Sequence, residues 1–442
     1  MIGKLVQAII LVFWLENALQ FKPIDIRGLS TINLLYLVML GLFLLGLILQ
    51  RRLPRISPLH KYCFLLILIV LCSIPQKFII GEIEGIRMMR EITYFKNWVE
   101  PYIVFFLLCD LVDDPDTCRE IVWGLILLLM ATVIVTLLTV SDIAYIGEVR
   151  HERDGSWPDF AEPNEYSAFL VLLIPVLLSF LILAKKFWLK VLMVGFSVLT
   201  FAALVSTGSR GGFLSCIIAL AVYSVYLYRR KILTTGVILV SIGAIGLIVF
   251  AGFFLAPDRV REKTVSRVEG EEASDLNEYS SGRIDIWTNG FHLFFQRPFI
   301  GHGLNAFPSL NRQVFGLKYG AHSEYLTYLV DHGGFGFLTY LAIRVSIFFY
   351  VSGHLQRTRD DFGRLLLLSY LCGFVGYTVG ILTVRVFNIH LVFWIYTGVV
   401  YAYCRMEETR DAHVREGDAE NDPYQPHRLH SGMNAAPSKG LS

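Results

Sequence analysis

Charge is what this chain has least of. Asp, Glu, Lys and Arg make up 17% of its 442 residues against 55% hydrophobic, and the mean hydropathy is +0.55. A soluble chain of this size needs far more charge to cover its surface, so a soluble globular fold is excluded. The seven cysteines, at 63, 72, 109, 118, 216, 372 and 404, form no CxxC pair and lie mostly within or beside apolar runs. Neither a zinc site nor a disulfide scaffold is implied. The chain has no HExxH, no Walker loop and no dinucleotide-binding glycine fingerprint, and no carboxylate cluster has metal-ligand spacing. No metal and no cofactor is expected. The net charge of +2 says little in itself; no nucleic-acid partner is expected, and what matters is where the basic residues sit.

What the chain has in excess is apolar length. By the length of chain a bilayer needs, about twelve spans are expected, at 4–20, 31–49, 62–80, 98–112, 120–140, 166–184, 188–206, 212–228, 232–255, 322–351, 364–384 and 387–404. The first contains Glu16 and no small-residue cleavage site, so it reads as a retained span. The tenth contains Gly333, Gly334 and Gly336 and is expected to kink or break there. The fold class is therefore an all-α polytopic membrane protein. Residues 1–405 form the membrane domain, and 406–442, polar and without apolar periodicity, read as a disordered cytoplasmic tail.

With the N-terminus inside, Arg51-Arg52, Lys185-Lys186, Arg229-Arg230-Lys231 and Arg357 with Arg359 all fall on the cytoplasmic side, as the positive-inside rule requires. The acidic turn Asp113-Asp114-Pro115-Asp116 is the exception. Loop 256–320 then faces outward. Its second half, Arg283 to Phe295, reads as an amphipathic helix whose face of Ile284, Trp287, Phe291, Phe294 and Phe295 suits the lipid headgroup zone.

Four polar clusters fall on that same outer face. One runs from Arg150 through Arg153 to Pro163-Asn164-Glu165-Tyr166, with Asn164 expected to cap the sixth span and Arg153 a phosphate or sugar contact. The second is Ser206-Thr207-Gly208-Ser209-Arg210-Gly211-Gly212. An arginine fork matches phosphate oxygens, and adjacent glycines permit close approach of a ligand. A merely snorkelling arginine would not need those neighbours. The third places Arg283 after Ser280-Ser281-Gly282 as another phosphate candidate. The fourth is His322 with Ser323, Glu324 and Tyr325 at the start of a span, where the imidazole is either a general base or a binding group. Asp331 and Glu324 stand as alternative bases. An outward-facing site has no access to cytoplasmic nucleotide sugars, so its donor must arrive already activated, and paired arginines stabilise a diphosphate leaving group without a metal.

In order, the segments PNEYSAF, STGSRGGFLS, SGRIDIW, RPFIGHGLNAF and AHSEYLTYLVDHGGFG resemble the O-antigen ligase and polymerase superfamily of bacterial membrane glycosyltransferases. In that family the last motif reads His, then Asn, Ser or Gln, nine residues, and Gly-x-x-Gly. His322-Ser323 through Gly333-x-x-Gly336 fits it at each defined position. The resemblance implies a donor glycan on undecaprenyl diphosphate, an acceptor that is glycan or lipid A-core, inversion at the anomeric carbon, membrane lipid around the site and no metal. Carried over by motif, Arg210, Arg283 and His322 would be the catalytic residues. Arg153, Asn164, Ser209, Gly211, Asn305, Ser323, Glu324 and Tyr325 would contact substrate around them.

The loop arginines are offset by Glu269, Glu271, Glu272, Asp275 and Glu278. That favours a polymerase of repeat units over a ligase that grips phosphorylated core. A transporter with a similar helix count is the competing class. It would show repeated halves and mid-membrane charge, whereas Glu100, Arg344 and Asp331 read as lying near span ends or the glycine break.

Overall fold

The computed structural model describes residues 1–18, 21, 25–26, 29–51, 53–80, 88–140, 162–230, 280, 282–317, 320–387 and 389–420. Arg153, the expected span 232–255 and most of the acidic first half of loop 256–320 lie outside the described residues. In chain order the helices are α1 (Ile2–Ala18), α2 (Thr31–Gln50), α3 (Pro58–Ile80), α4 (Met88–Leu111), α5 (Pro115–Val140), α6 (Pro163–Leu183), α7 (Phe187–Ser206) and α8 (Arg210–Arg229). They continue with α9 (Arg283–Gln296), α10 (Phe307–Phe315), α11 (Glu324–Arg357), α12 (Asp361–Gly380) and α13 (His390–Glu420). A two-residue antiparallel hairpin, β1 (Asp25–Ile26) with β2 (Leu29–Ser30), precedes α2.

Helices are the form such runs must take, because hydrocarbon offers no partner to a backbone amide and the helix satisfies each one internally. Among the described residues eight are long and apolar enough to span: α2, α3, α5, α6, α7, α8, α11 and α12. The chain is an all-α polytopic membrane protein. At the bundle centre are α6 and α12, each with 78% of its spanning window buried, whereas α2 has 6%.

Helix starts are set locally. Ser30, Ser209, Ser323 and Asp360 each accept a hydrogen bond from the backbone N–H three residues on, the usual N-cap arrangement. The sixth span differs from expectation. Pro163 takes the first helical position and Glu162 the cap, so Asn164 lies inside the first turn and its side chain is free for another use. The acidic exception to the charge rule also has a local cause. The Asp114 carboxylate accepts from Thr117 N at 2.7 Å and Thr117 Oγ1 at 2.6 Å, and Asp116 pairs with Arg119 at 2.6 Å. Negative charge there complements the N-terminal dipole of α5.

Small residues draw the central helices together. On α12, a Cβ at Gly373 would lie 2.3 Å from Leu172 O of α6, and one at Gly376 would lie 2.6 Å from Val171 Cγ1. Gly380 faces Ser215 of α8. In lipid, where apolar contact alone gives helices no preference for each other, such close backbone approach supplies the packing.

The expected break in the tenth span is present and sharp. Gly333 has φ 64° and ψ −167°, and the rings of Tyr328 and Tyr340 stack with centroids 4.0 Å apart. Twelve residues of continuous helix would separate them by about 18 Å, so α11 doubles back at Gly333. Segment 298–303 satisfies the backbone this exposes: Gly334 N donates to Pro298 O at 2.7 Å, Gly303 N to Asp331 O at 2.7 Å and His302 N to Val330 O at 2.9 Å. Gly301 and Gly333 meet back to back, with no room for a Cβ on either.

Two cations lie buried in the bundle, and one of them, Arg344, was expected near a span end or the glycine break. Arg344 is 3% exposed in α11, not near an end, and lies over the rings of Tyr340, Phe374, Tyr377 and Phe393 at 4.5–5.9 Å. Lys77 pairs with Glu91 at 2.7 Å, both almost fully buried, and also donates to Leu304 O at 2.7 Å. Removing one member strands the other charge, so Glu91→Ala is expected to cost about 3–5 kcal/mol. The check is the thermal unfolding midpoint in detergent; an unchanged midpoint would mean that the pair carries no stability.

The final helix runs to Glu420, past the boundary drawn at 405. Residues 421–442 of the expected tail lie outside the described residues.

Candidate functional site

At one end of the bundle a second, small core gathers Ile286, Leu293, Ala306, Phe307, Leu310, Ala321, Leu326 and Val330. It joins α9 and α10 to the first half of α11. Helix α9 buries Ile286, Gly290 and Leu293 at helical spacing, and a Cβ at Gly290 would collide with Leu326. The opposite stripe, Ile284, Phe291 and Phe295, is exposed and keeps the apolar face expected for the headgroup zone. Trp287 and Phe294 instead pack partly against the small core. Trp287 Nε1 donates to Ala321 O at 3.2 Å, which fixes the residue just before His322.

Asp331 organises this unit from below. Its carboxylate accepts from Asn305 N at 2.8 Å and from Ala306 N and Phe307 N at 3.0 Å, capping α10. Glu324, the other alternative base, accepts from Val386 N at 3.1 Å, and its own N–H donates to Ile381 O and Val384 O. Both carboxylates are buried and spent on backbone. That is the structural work a buried acid must do to stay satisfied.

His322 sits at φ 45°, a left-handed conformation that a side-chain-bearing residue adopts only where surrounding contacts impose it. Burial lowers its pKa below the ordinary 6.5, with Glu162 acting to raise it and Arg283 to lower it. Arg283 opens α9, Glu162 caps α6, and both are therefore electrostatic neighbours of the imidazole. Asn164, two residues after Glu162, accepts from Ser209 Oγ at 2.8 Å; Ser209 is the cap immediately before Arg210. Arg210 is exposed at the first turn of α8. The structure thus gathers the starts of α6, α8, α9 and α11, with Arg210, Arg283 and His322 at those starts.

Several of the expected substrate contacts have internal duties. Ser209 and Ser323 are helix caps, Asn164 holds Ser209, and Tyr325 Oη donates to Thr378 O at 3.2 Å. The glycines beside Arg210 permit close packing: a Cβ at Gly211 would lie 2.3 Å from Thr383 Oγ1, in the connection after α12, and one at Gly212 would lie 2.5 Å from Ser167 Cβ of α6.

The connection from α12 to α13 was not singled out from sequence, yet it runs through the middle of this assembly. Thr383 meets Gly211, Ile381 and Val384 bind the Glu324 amide, and Glu165 Oε1 accepts from Phe387 N at 2.6 Å. Arg385 donates from Nη1 to Asn305 Oδ1 at 2.9 Å and from Nη2 to the Tyr94 hydroxyl. Asn305 is itself left-handed, at φ 56°. Among the described residues no group of three or more His, Cys, Asp or Glu is placed to hold a metal ion.

No curated protein matches the chain. Residues 195–341, about a third of its length, match the family model described as O-Antigen ligase. That match covers α8, α9, α10 and the broken first part of α11, the elements at whose starts Arg210, Arg283 and His322 lie, and it supports the resemblance to the O-antigen ligase and polymerase superfamily.

Proposed function

We propose that the chain is a metal-independent, inverting glycosyltransferase of the bacterial inner membrane. It moves glycan from undecaprenyl diphosphate to an acceptor hydroxyl at the periplasmic face. The observation that carries this reading is the convergence at His322: Arg283 and Glu162 act on its charge, and the helix start bearing Glu162 is bonded through Asn164 to the cap of Arg210. An arginine fork beside the imidazole, with a second at the neighbouring helix start, suits a reaction in which negative charge builds on a leaving diphosphate while a hydroxyl loses its proton. The acceptor oxygen attacks the anomeric carbon, and the bond to the diphosphate oxygen breaks. Arg210 and Arg283 hold the departing diphosphate, and His322 positions the hydroxyl or takes its proton. The basic connections at the opposite end support the periplasmic orientation.

The same reading gives a pH dependence. The lowered pKa of His322 means that its neutral form persists to more acidic solution than that of a free histidine. If the neutral imidazole acts, kcat/KM is lost only as pH falls through that lowered value. The acid limb is therefore expected below 6.5 and should vanish in the residual activity of His322→Gln. An acid limb retained in that variant would assign it to another group.

The acidic residues of loop 256–320 favour a polymerase of exopolysaccharide or O-antigen repeats over a ligase to lipid A-core. A deletion strain complemented with wild type or Arg210→Ala, with lipid-linked and surface glycans resolved by length, tests both. Single repeats in place of long chains mean a polymerase; long chains stranded on the carrier lipid mean a ligase. No change in either pool rejects the transferase reading.

A further inference from the structure

A transferase needs a place for its second substrate, and the connection between α12 and α13 has two sides. On one, Thr383 packs against Gly211, next to Arg210. On the other, Phe387 stacks on Tyr94 of α4, with centroids 5.1 Å apart and planes 21° from parallel. There the described residues form an open, shallow cleft of about 360 Å³, lined by Met89, Arg90, Thr93, Tyr94, Asn97 and Phe387.

Resting on the transferase reading above, we infer that this cleft is a saccharide subsite for the acceptor glycan. A pyranose ring has an apolar C–H face and a rim of hydroxyls. Tyr94 and Phe387 stack on each other, so a sugar would lie with its C–H face against the outside of this half-buried aromatic pair, with Thr93, Asn97 and Arg90 beside it for the hydroxyls. The lining of the cleft comes from the first turns of α4 and from the connection, at the same end of the bundle as His322. The Tyr94 ring is held by Arg385, whose guanidinium also grips Asn305 in the strained turn beside Asp331. The acceptor side and the turn beneath the small core are therefore mechanically continuous.

The test uses the full chain in lipid nanodiscs, with oligosaccharides released by mild acid from the host's surface glycan as the probe. Saturation-transfer NMR reads the binding of sugar C–H protons to aromatic side chains without any turnover. The wild type is expected to give transfer to the sugar, and Phe387→Ala to lose most of it. In the transfer assay, Phe387→Ala and the cleft-filling Thr93→Trp should each raise KM for the oligosaccharide about tenfold, while KM for the lipid-linked donor stays within twofold. No saturation transfer in the wild type overturns the inference, as does unchanged acceptor KM in both variants. A rise confined to the donor KM would put a polyprenyl chain in the cleft and equally overturn it. Saturation transfer that depends on Phe387 in a protein without transferase activity would uphold the saccharide site and reject only the reaction assigned above.

Discussion

Arg210→Ala is expected to lower glycan transfer by about a thousandfold or more, with normal insertion and an unfolding midpoint close to wild type. The side chain is exposed at the first turn of α8, so its truncation leaves no cavity. The cap of that helix is Ser209, which stays bonded to Asn164 and Gly212. What is lost is a rigid fork of donors at the point where the leaving diphosphate gathers charge, and water at a membrane surface cannot replace a fixed donor without reorganising. Arg210→Lys should recover only part of the loss, because a point charge does not reproduce the two-pronged geometry. Transfer by purified protein in liposomes, measured beside the midpoint, separates this from misfolding. Wild-type rates in Arg210→Ala would remove it from the site.

The second large effect is expected at Gly333→Ala. Its φ of 64° with ψ of −167° belongs to a region open essentially to glycine alone. A Cβ there would also stand 2.4 Å from Phe299 C and 2.5 Å from Phe299 O, backbone that cannot swing aside. The change forces apart segment 298–303 and the break in α11. Asn305, Asp331 and the segment leading from His322 all hang on that junction. A displacement of about 1 Å at reacting groups costs roughly a hundredfold in rate, so transfer should fall at least that far, together with a drop in the unfolding midpoint. Gly334→Ala is the control: its Cβ would meet Pro298 O at 3.1 Å, at an ordinary helical φ. It should keep most of both. Equal behaviour of the two variants would show that the break is not what positions the site.

The helices were legible because a run of about twenty apolar residues has one good solution in lipid. The glycine break was legible because glycines cluster where no helix interior favours them. Arg210, Arg283 and His322 were legible as motifs at or just before the starts of α8, α9 and α11. Arg385 was not legible. It lies in a short turn without a motif, and its partners Asn305 and Tyr94 are 80 and 291 residues away in sequence. Lys77 and Glu91 were missed because each reads as an ordinary charge near a span end until Leu304 is folded over them. Arg344 was misplaced because a doubled-back α11 puts a residue in the bundle that a straight span would put nearer the surface. Asn164 lies two positions past the cap that the sequence expects it to be, since Glu162 caps the helix and Pro163 takes the first helical position. The close packing of the Gly211-Gly212 pair against Thr383 and Ser167 was not legible, because both partners are far away in sequence.

The central claim is transfer from a lipid-linked diphosphate by groups set around His322. The purified chain in liposomes, supplied with lipid-linked repeat units and a metal chelator, tests it by following the release of undecaprenyl diphosphate. The account predicts release coupled one for one to glycan lengthening or attachment, abolished in His322→Ala and Arg210→Ala. Intact donor with the wild-type protein, or release that proceeds equally well in both variants, would contradict it.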